Sequence, residues 1–336
     1  MIAAIFNAPH KISVEEYSLR SLTEGELLIR VNACGVCGTD HHINNGEAQS
    51  STPVILGHEY AGTIIDCKGN IGGLIMGDKV AVDPNINCGY CSYCREGKIN
   101  FCENLTALGV DINGGFAQFS IIPFKQAYKL NDNIPLNIAA YAEPLSCCLH
   151  GIEQAEIKIN DTVVIVGAGS IGLLMVQLAK LSQASKIIVI EPEKFKRELA
   201  IISGADLIYD STDKDLIQKI MEETNGGADI IIECAGTETA VNSTILFARK
   251  GATIILFGLS GKKTKMNFNL QDYFKKELIV KGSLLNPFTF SKSLNLLSSG
   301  HIDPEKFTTN QIDINEIHSV FSINENSRFV KYQIIS

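Results

Sequence analysis

The stretch TVVIVGAGSIG, residues 162–172, decides the fold. Its first five residues are a short, largely β-branched apolar run, the pattern of a strand covered on both faces. It passes straight into Gly167-Ala-Gly169-Ser-Ile171-Gly172, and the apolar text from 170 to 181 continues at helical spacing. A G-x-G-x-x-G turn between a buried strand and a helix offers backbone amides and the positive end of a helix dipole, a seat for a pyrophosphate. A second apolar run, 186–190, ends at Glu191, about 20 residues past the turn, where an acid can accept the ribose hydroxyls of an adenosine. A carboxylate there disfavours a 2′-phosphate, so NAD is expected in preference to NADP, with Lys194, Lys196 and Arg197 nearby as an opposing influence.

Downstream the alternation continues. A helix is expected over 193–203, a charged one near 213–224, a strand at 230–233, a helix near 239–247 and a strand at 253–257. Such alternation makes a doubly wound parallel sheet. Upstream, to about residue 128, the segments are short and β-like, for example 26–31 and 116–122, punctuated by Gly, Asn and Pro. That half reads as barrel-like and loop-rich. Beyond 272 a strand over 281–285, a helix near 289–298 and a polar tail return toward the first domain. For 336 residues the expectation is an α/β protein with domains at 1–140 and 141–272 and a return segment at 273–336.

Composition removes several classes of function. With 45% hydrophobic and 20% charged residues the chain is of ordinary globular type. A net charge of −8 has the wrong sign for a nucleic-acid partner. The most apolar stretch, 162–181, is broken by Gly167, Gly169, Gly172, Gln177 and Lys180, so no membrane span is expected. The opening MIAAIFNAPHKISVEEY lacks the basic and long apolar regions of a secretory signal, which points to the cytoplasm.

In that compartment the ten cysteines are not expected to form disulfides. Cys88, Cys91, Cys94 and Cys102 stand at C-x2-C-x2-C-x7-C spacing inside a polar lobe at about 84–106. Four thiolates so close in sequence can converge on one Zn2+ as a closed, structural site. Cys37, His58, Glu59 and Glu143 supply thiolate, imidazole and carboxylate, the ligand types of a catalytic zinc with an open position. Taken singly, each has a plain alternative: a buried thiol, a core histidine, an acid at a helix start. Cys34, Cys67, Cys147, Cys148 and Cys234 sit in apolar or small-residue text and are expected in the core.

Read together, GVCGTDHH (35–42), GHEYAG (57–62), the four-cysteine lobe, GGFAQF (114–119), AEPLSC (142–147), VGAGSIG (166–172), ECAG (233–236) and GATIILFG (251–258) resemble a known family. It is the zinc-dependent medium-chain dehydrogenases, within them the sorbitol (L-iditol 2-) dehydrogenase-like polyol branch. The resemblance spans nearly the whole chain. It implies a GroES-like β-rich catalytic domain joined to a Rossmann domain, with one catalytic and one structural zinc per chain. It also implies transfer of a hydride between a secondary alcohol of a polyol and the nicotinamide of NAD. Cys37, His58 and Glu59 are the implied ligands of the catalytic zinc, with Glu143 binding it directly or holding its water. Thr39 is implied beside the reacting oxygen, with His42 passing the proton to solvent. Asp40 is expected to be structural, and His41 to face solvent. Gly167, Gly169, Ile171 and Gly172 match the pyrophosphate turn, Glu191 the ribose acid, and Lys196 a position against the adenine ribose.

The resemblance thins at the substrate. Sorbitol dehydrogenases commonly carry a Tyr and an Arg that touch polyol hydroxyls, where this chain has Ile43 and Leu285. A polyol phosphate of the galactitol-1-phosphate or arabitol-phosphate type is therefore an alternative substrate, followed by threonine. A remoter reading is a zinc- and nucleotide-binding protein without catalysis, which predicts a damaged catalytic set. By resemblance alone, the chain is expected to form a homo-oligomer, a tetramer or dimer.

Overall fold

The computed structural model describes residues 1–335 apart from 262–263, 268, 308 and 323–328. The chain forms two compact units, Met1–Ser146 with Asn286–Ser336, and Cys147–Leu285. The first break falls inside the helix Ala142–Ala155, and the stretch expected as a return segment divides at 285/286. Residues 308, 323–328 and 336 of that segment lie outside the described residues.

In the second unit six parallel strands, Thr162–Val166, Lys186–Ile190, Leu207–Tyr209, Ala228–Glu233, Ala248–Leu256 and Ile279–Gly282, form one sheet. By chain position their order is third, second, first, fourth, fifth, sixth. This is the doubly wound order, whose direction reverses at the first strand and leaves a ligand crevice at the carboxyl ends there. Val163, Val164 and Ile165 are wholly buried between the flanking strands, which is why the run contains no polar alternation. The helix Ser170–Leu181 is buried from Gly172 to Ala179, and Gly204 in the left-handed region closes the helix Lys194–Ser203. The last strand ends at Gly282, short of the expected 285, because the chain turns out of the sheet and Leu285 takes a left-handed φ of 57°.

The first unit is organised on the ten-residue strand Glu26–Gly35, longer than the 26–31 expected. It pairs with Glu59–Lys68, Phe119–Pro123 and the final strand Lys331–Ile335, all antiparallel. Leu27, Ile29 and Val31 alternate into a core shared with Ile64, Val80, Ile122 and Ile334. Gly35 lies opposite Glu59 on one side and Gln333 on the other. A methyl group on Gly35 would collide with the Glu59 carboxylate, so glycine here makes room for a buried acid. The structure thus has the GroES-like β-rich domain and the parallel α/β domain expected. Among the described residues, no helix is long and apolar enough to cross a membrane.

Candidate active site and metal centres

Cys37 precedes the helix Gly38–Asn44 in extended conformation, and its backbone amide donates to Asp40 Oδ2 at 2.9 Å. This capping arrangement holds the thiol at the helix start. Glu59 opens the strand opposite, with His58 immediately before it, and one ligand atom from each of Cys37, His58 and Glu59 lies within 4.8 Å of the others. His58 is 7% exposed and Glu59 1%. Asp40, fully buried, sets Oδ1 3.6 Å from His58 Nδ1, within ion-pair range but beyond a hydrogen bond. A carboxylate behind one imidazole nitrogen orients the other toward a metal. Burial works to lower the His58 pKa, yet the facing charges of Asp40 and Cys37 raise it well above its ordinary value.

Glu59 Oε2 meets the ammonium of Lys331, which is itself 4% exposed, while Glu59 Oε1 is buried with no hydrogen-bond partner. Asp40 Oδ1 and His58 Nδ1 are likewise without hydrogen bonds. Buried polar atoms lacking partners are costly, and those of His58 and Glu59 belong to residues that converge with the Cys37 thiol, so that thiolate, imidazole and carboxylate form a donor set that fits a zinc ion. Glu143, buried on the first turn of the helix Ala142–Ala155, is not among the atoms within 4.8 Å of one another.

Thr39 Oγ1 lies 3.7 Å from Cys37 Sγ, and His42 Nδ1 makes a 2.6 Å bond with Glu47 Oε2 near the surface. His41 departs from the solvent-facing expectation: its ring packs against Phe321 at 5.2 Å between centroids. Ile43 is 1% exposed inside the hydrophobic core, because it occupies the inward face of the short helix.

The four sulfurs of Cys88, Cys91, Cys94 and Cys102 also lie within 4.8 Å of one another, with Cys88 and Cys94 Sγ at 4.0 Å. Tetrahedral Zn–S bonds of about 2.3 Å require sulfurs about 3.8 Å apart, so the cage fits the ion. Backbone amides turn inward: Cys88 N donates to Cys102 Sγ at 3.2 Å and Cys91 N to Cys88 Sγ at 3.4 Å. Amides of Tyr90 and Cys91 pull the Cys88 thiol down to about 6, while burial and the neighbouring thiols push Cys94 up to about 12. Of the other five cysteines, Cys34 and Cys148 are buried, but Cys67, Cys147 and Cys234 are only half-buried, which departs from the expectation that all five lie in the core.

In the second unit Gly167 has φ 100°, a conformation that side chains resist, and a methyl on Gly172 would strike the Gly167 carbonyl. Gly169 caps the helix Ser170–Leu181 without any side-chain hydrogen bond, leaving first-turn amides for an anion. Ile171 follows in the first turn, half-buried. Glu191, 5% exposed, accepts from Ala168 N at 2.8 Å and Glu193 N at 3.1 Å. Lys196 is engaged by Glu193 at 2.7 Å. Arg197 donates to the Glu191 and Pro192 carbonyls and pairs with Asp210 at 3.0 Å. Sequence reasoning missed Lys331; its one signal was a lone charge in the end FVKYQII, whose other residues are apolar or aromatic apart from Gln333.

Residues 23–132 match the alcohol dehydrogenase GroES-like domain, and residues 170–299 the zinc-binding dehydrogenase domain. The chain is 30% identical to D-arabinitol dehydrogenase 1 of Uromyces fabae over 94% of its length and 91% of the relative's. It is 35% identical to L-threonine 3-dehydrogenase of Pyrococcus horikoshii over 85% of its length and 84% of that protein's. A zinc-binding dehydrogenase from Sinorhizobium meliloti 1021, solved bound to NADP, superposes with a TM-score of 0.96 at 35% identity, covering 100% of this chain and 99% of the other. The chain therefore belongs to the zinc-dependent medium-chain dehydrogenases, enzymes that oxidise alcohols with a nicotinamide cofactor.

Proposed function

We propose that the protein interconverts a secondary alcohol of a small polyol and the corresponding ketose, with NAD as hydride acceptor. The observation that carries this reading is the Cys37, His58 and Glu59 cluster, in which buried atoms of His58 and Glu59 lack hydrogen-bond partners and call for a cation. Zinc bound there supplies Lewis acidity, lowering the pKa of a hydroxyl as it lowers that of water. Thr39 Oγ1, beside Cys37, accepts the proton of the substrate hydroxyl as it passes its own outward. His42 then carries it outward: Glu47 can only accept, so Nδ1 holds the proton between them and Nε2 is the accepting nitrogen. Gly167, Gly169, Ile171 and Gly172 hold the pyrophosphate, with Glu191 at the adenosine ribose. Preference for NAD is supported by Arg197, whose guanidinium is already engaged by Asp210 and two carbonyls, and by Lys196, already paired with Glu193.

The polyol class is supported by the identity with D-arabinitol dehydrogenase 1. Identity with L-threonine 3-dehydrogenase favours a second reading, oxidation of the threonine hydroxyl. NADH formation at 340 nm by zinc-replete protein, across free polyols, polyol phosphates, threonine and simple alcohols, each with NAD and NADP, separates the two. Turnover confined to polyols is expected; turnover with threonine alone overturns the first reading.

A further inference from the structure

Glu143 sits on the first turn of the helix Ala142–Ala155, and a segment much later in the chain grips that turn. Asn286 Nδ2 donates to Ser146 Oγ at 2.9 Å, Thr289 Oγ1 to the Ser146 carbonyl at 2.8 Å, and Ser293 Oγ to the Ala142 carbonyl at 2.8 Å. Ser146 Oγ in turn donates to the carbonyl of Glu143 itself at 2.6 Å. Ser146, Thr289 and Ser293 are wholly buried and Asn286 is 4% exposed, so water cannot take over these bonds.

The same amide faces the other way as well. Asn286 Oδ1 accepts from Asn85 Nδ2 at 2.8 Å, and its Nδ2 comes 3.3 Å from Asp83 Oδ1. Asn85 and Ile86 form the short strand that leads into Cys88. One buried amide thus touches both the turn carrying Glu143 and the approach to the four-cysteine lobe.

The backbone is strained to put it there. Phe288 is held at φ 58°, a left-handed conformation that costs a bulky residue about 1–3 kcal/mol and persists only where the surroundings over-determine it. Its side chain is 66% exposed, so packing does not hold it. It stands between Asn286 and Thr289, both buried and hydrogen-bonded.

We propose that Asn286 is a positioning residue for Glu143, acting through Ser146, so that the carboxylate is held at one distance from the catalytic metal. The inference rests on the reading that Glu143 serves that metal. Without the amide, the Ser146 hydroxyl loses the donor that fixes its rotamer, and its bond to the Glu143 carbonyl, which adds to the helical backbone bond there, is weakened.

The test compares Asn286→Ala, Ser146→Ala, their combination and Glu143→Gln in zinc-loaded full-length protein. Three quantities are read: kcat and both KM values, melting temperature, and the rate at which a chelator with a metal indicator withdraws each zinc. Asn286→Ala is expected to lower kcat about tenfold and to speed release of one zinc per chain by a similar factor, as loss of a group supporting a metal ligand does. KM for NAD and release of the other zinc should stay unchanged. Ser146→Ala should reproduce this, and the double variant should add little. Should Asn286→Ala fail to fold, Ser146→Ala carries the comparison. Unchanged kcat and zinc release in Ser146→Ala, while Glu143→Gln alters both, overturns the positioning role alone. Unchanged values in Glu143→Gln overturn the role assigned to Glu143, and the inference with it.

Discussion

Lys331 and Glu59 form an ion pair sealed from solvent, one on the last strand and the other at the start of the strand that follows His58. Burial alone would discharge the ammonium, but the Glu59 and Cys37 charges raise its pKa above the ordinary lysine value. Removing one member of such a pair typically costs about 3–5 kcal/mol because the other is left uncompensated. A metal ion held beside Glu59 would supply the missing positive charge. Lys331→Met should therefore destabilise the zinc-free protein by about that amount and the zinc-loaded protein by clearly less. Denaturant unfolding of both forms checks this. Equal losses in the two forms would show that Glu59 does not feel the metal.

The two cysteine sites should separate under substitution. Cys37→Ser removes a thiolate from the open cluster and should abolish most turnover while the melting temperature changes little. Cys88→Ser opens a closed four-sulfur cage and should lower stability, since binding energy at structural zinc contributes directly to folding. Zinc analysis should find one ion per chain in each variant. Loss of turnover by a fully folded Cys88→Ser protein would refute the division into structural and catalytic sites.

Legibility from sequence followed the locality of the interactions. Thr162–Val166, Ser170–Leu181 and Lys186–Ile190 were readable to the residue, because buried parallel strands are unbroken apolar runs and the glycine turn marks where strand gives way to helix. The four-cysteine cage was readable because all its ligands lie in one short stretch. Lys331 was not, since nothing in its own surroundings says that the last strand pairs beside Gly35 and Glu59. Asn286 was hidden for the same reason: its partners Asn85 and Ser146 are remote in sequence. His41 misled because a polar residue on a short helix is exposed by default, and only the packing of Phe321 against it reveals otherwise.

Asp83 gives a pH dependence with a definite sign. Burial pushes its carboxyl up to about 6, against hydrogen bonds from Asn85 and Asn286 that pull it down. The nearby Tyr128 phenol is pushed up by its own burial and by the Asp83 charge. An ordinary aspartate titrates near 3.9, so between about pH 4 and pH 6 the folded protein holds a proton that the unfolded chain releases. This contribution to stability is complete below the unfolded value and is lost as pH rises through the folded one. Asp83→Asn keeps the accepting oxygen and removes the charge. It should stabilise the protein at pH 8 by on the order of 1–2 kcal/mol, allowing for solvent screening of a half-buried group, and have no effect at pH 4. Paired unfolding curves at the two pH values decide it; an equal effect at both would exclude titration of Asp83 as the cause.

Glu191 has two tasks that one substitution can separate. Its carboxylate accepts the amide of Ala168 inside the glycine turn and that of Glu193, yet an ionised carboxylate has about four acceptor positions and retains capacity for ribose hydroxyls. In Glu191→Ala the Ala168 amide loses its acceptor, which loosens the turn and should raise KM for NAD and NADP alike. Loss of the negative charge acts only on the comparison between the two, by removing repulsion of a 2′-phosphate. The expected outcome is a KM for NAD raised about tenfold with kcat little changed, together with a higher ratio of kcat/KM for NADP over NAD. Steady-state kinetics with both cofactors measures it. If both KM values rise in proportion and the ratio stays fixed, Glu191 shapes the turn but does not read the ribose, and the preference for NAD must come from elsewhere in the site.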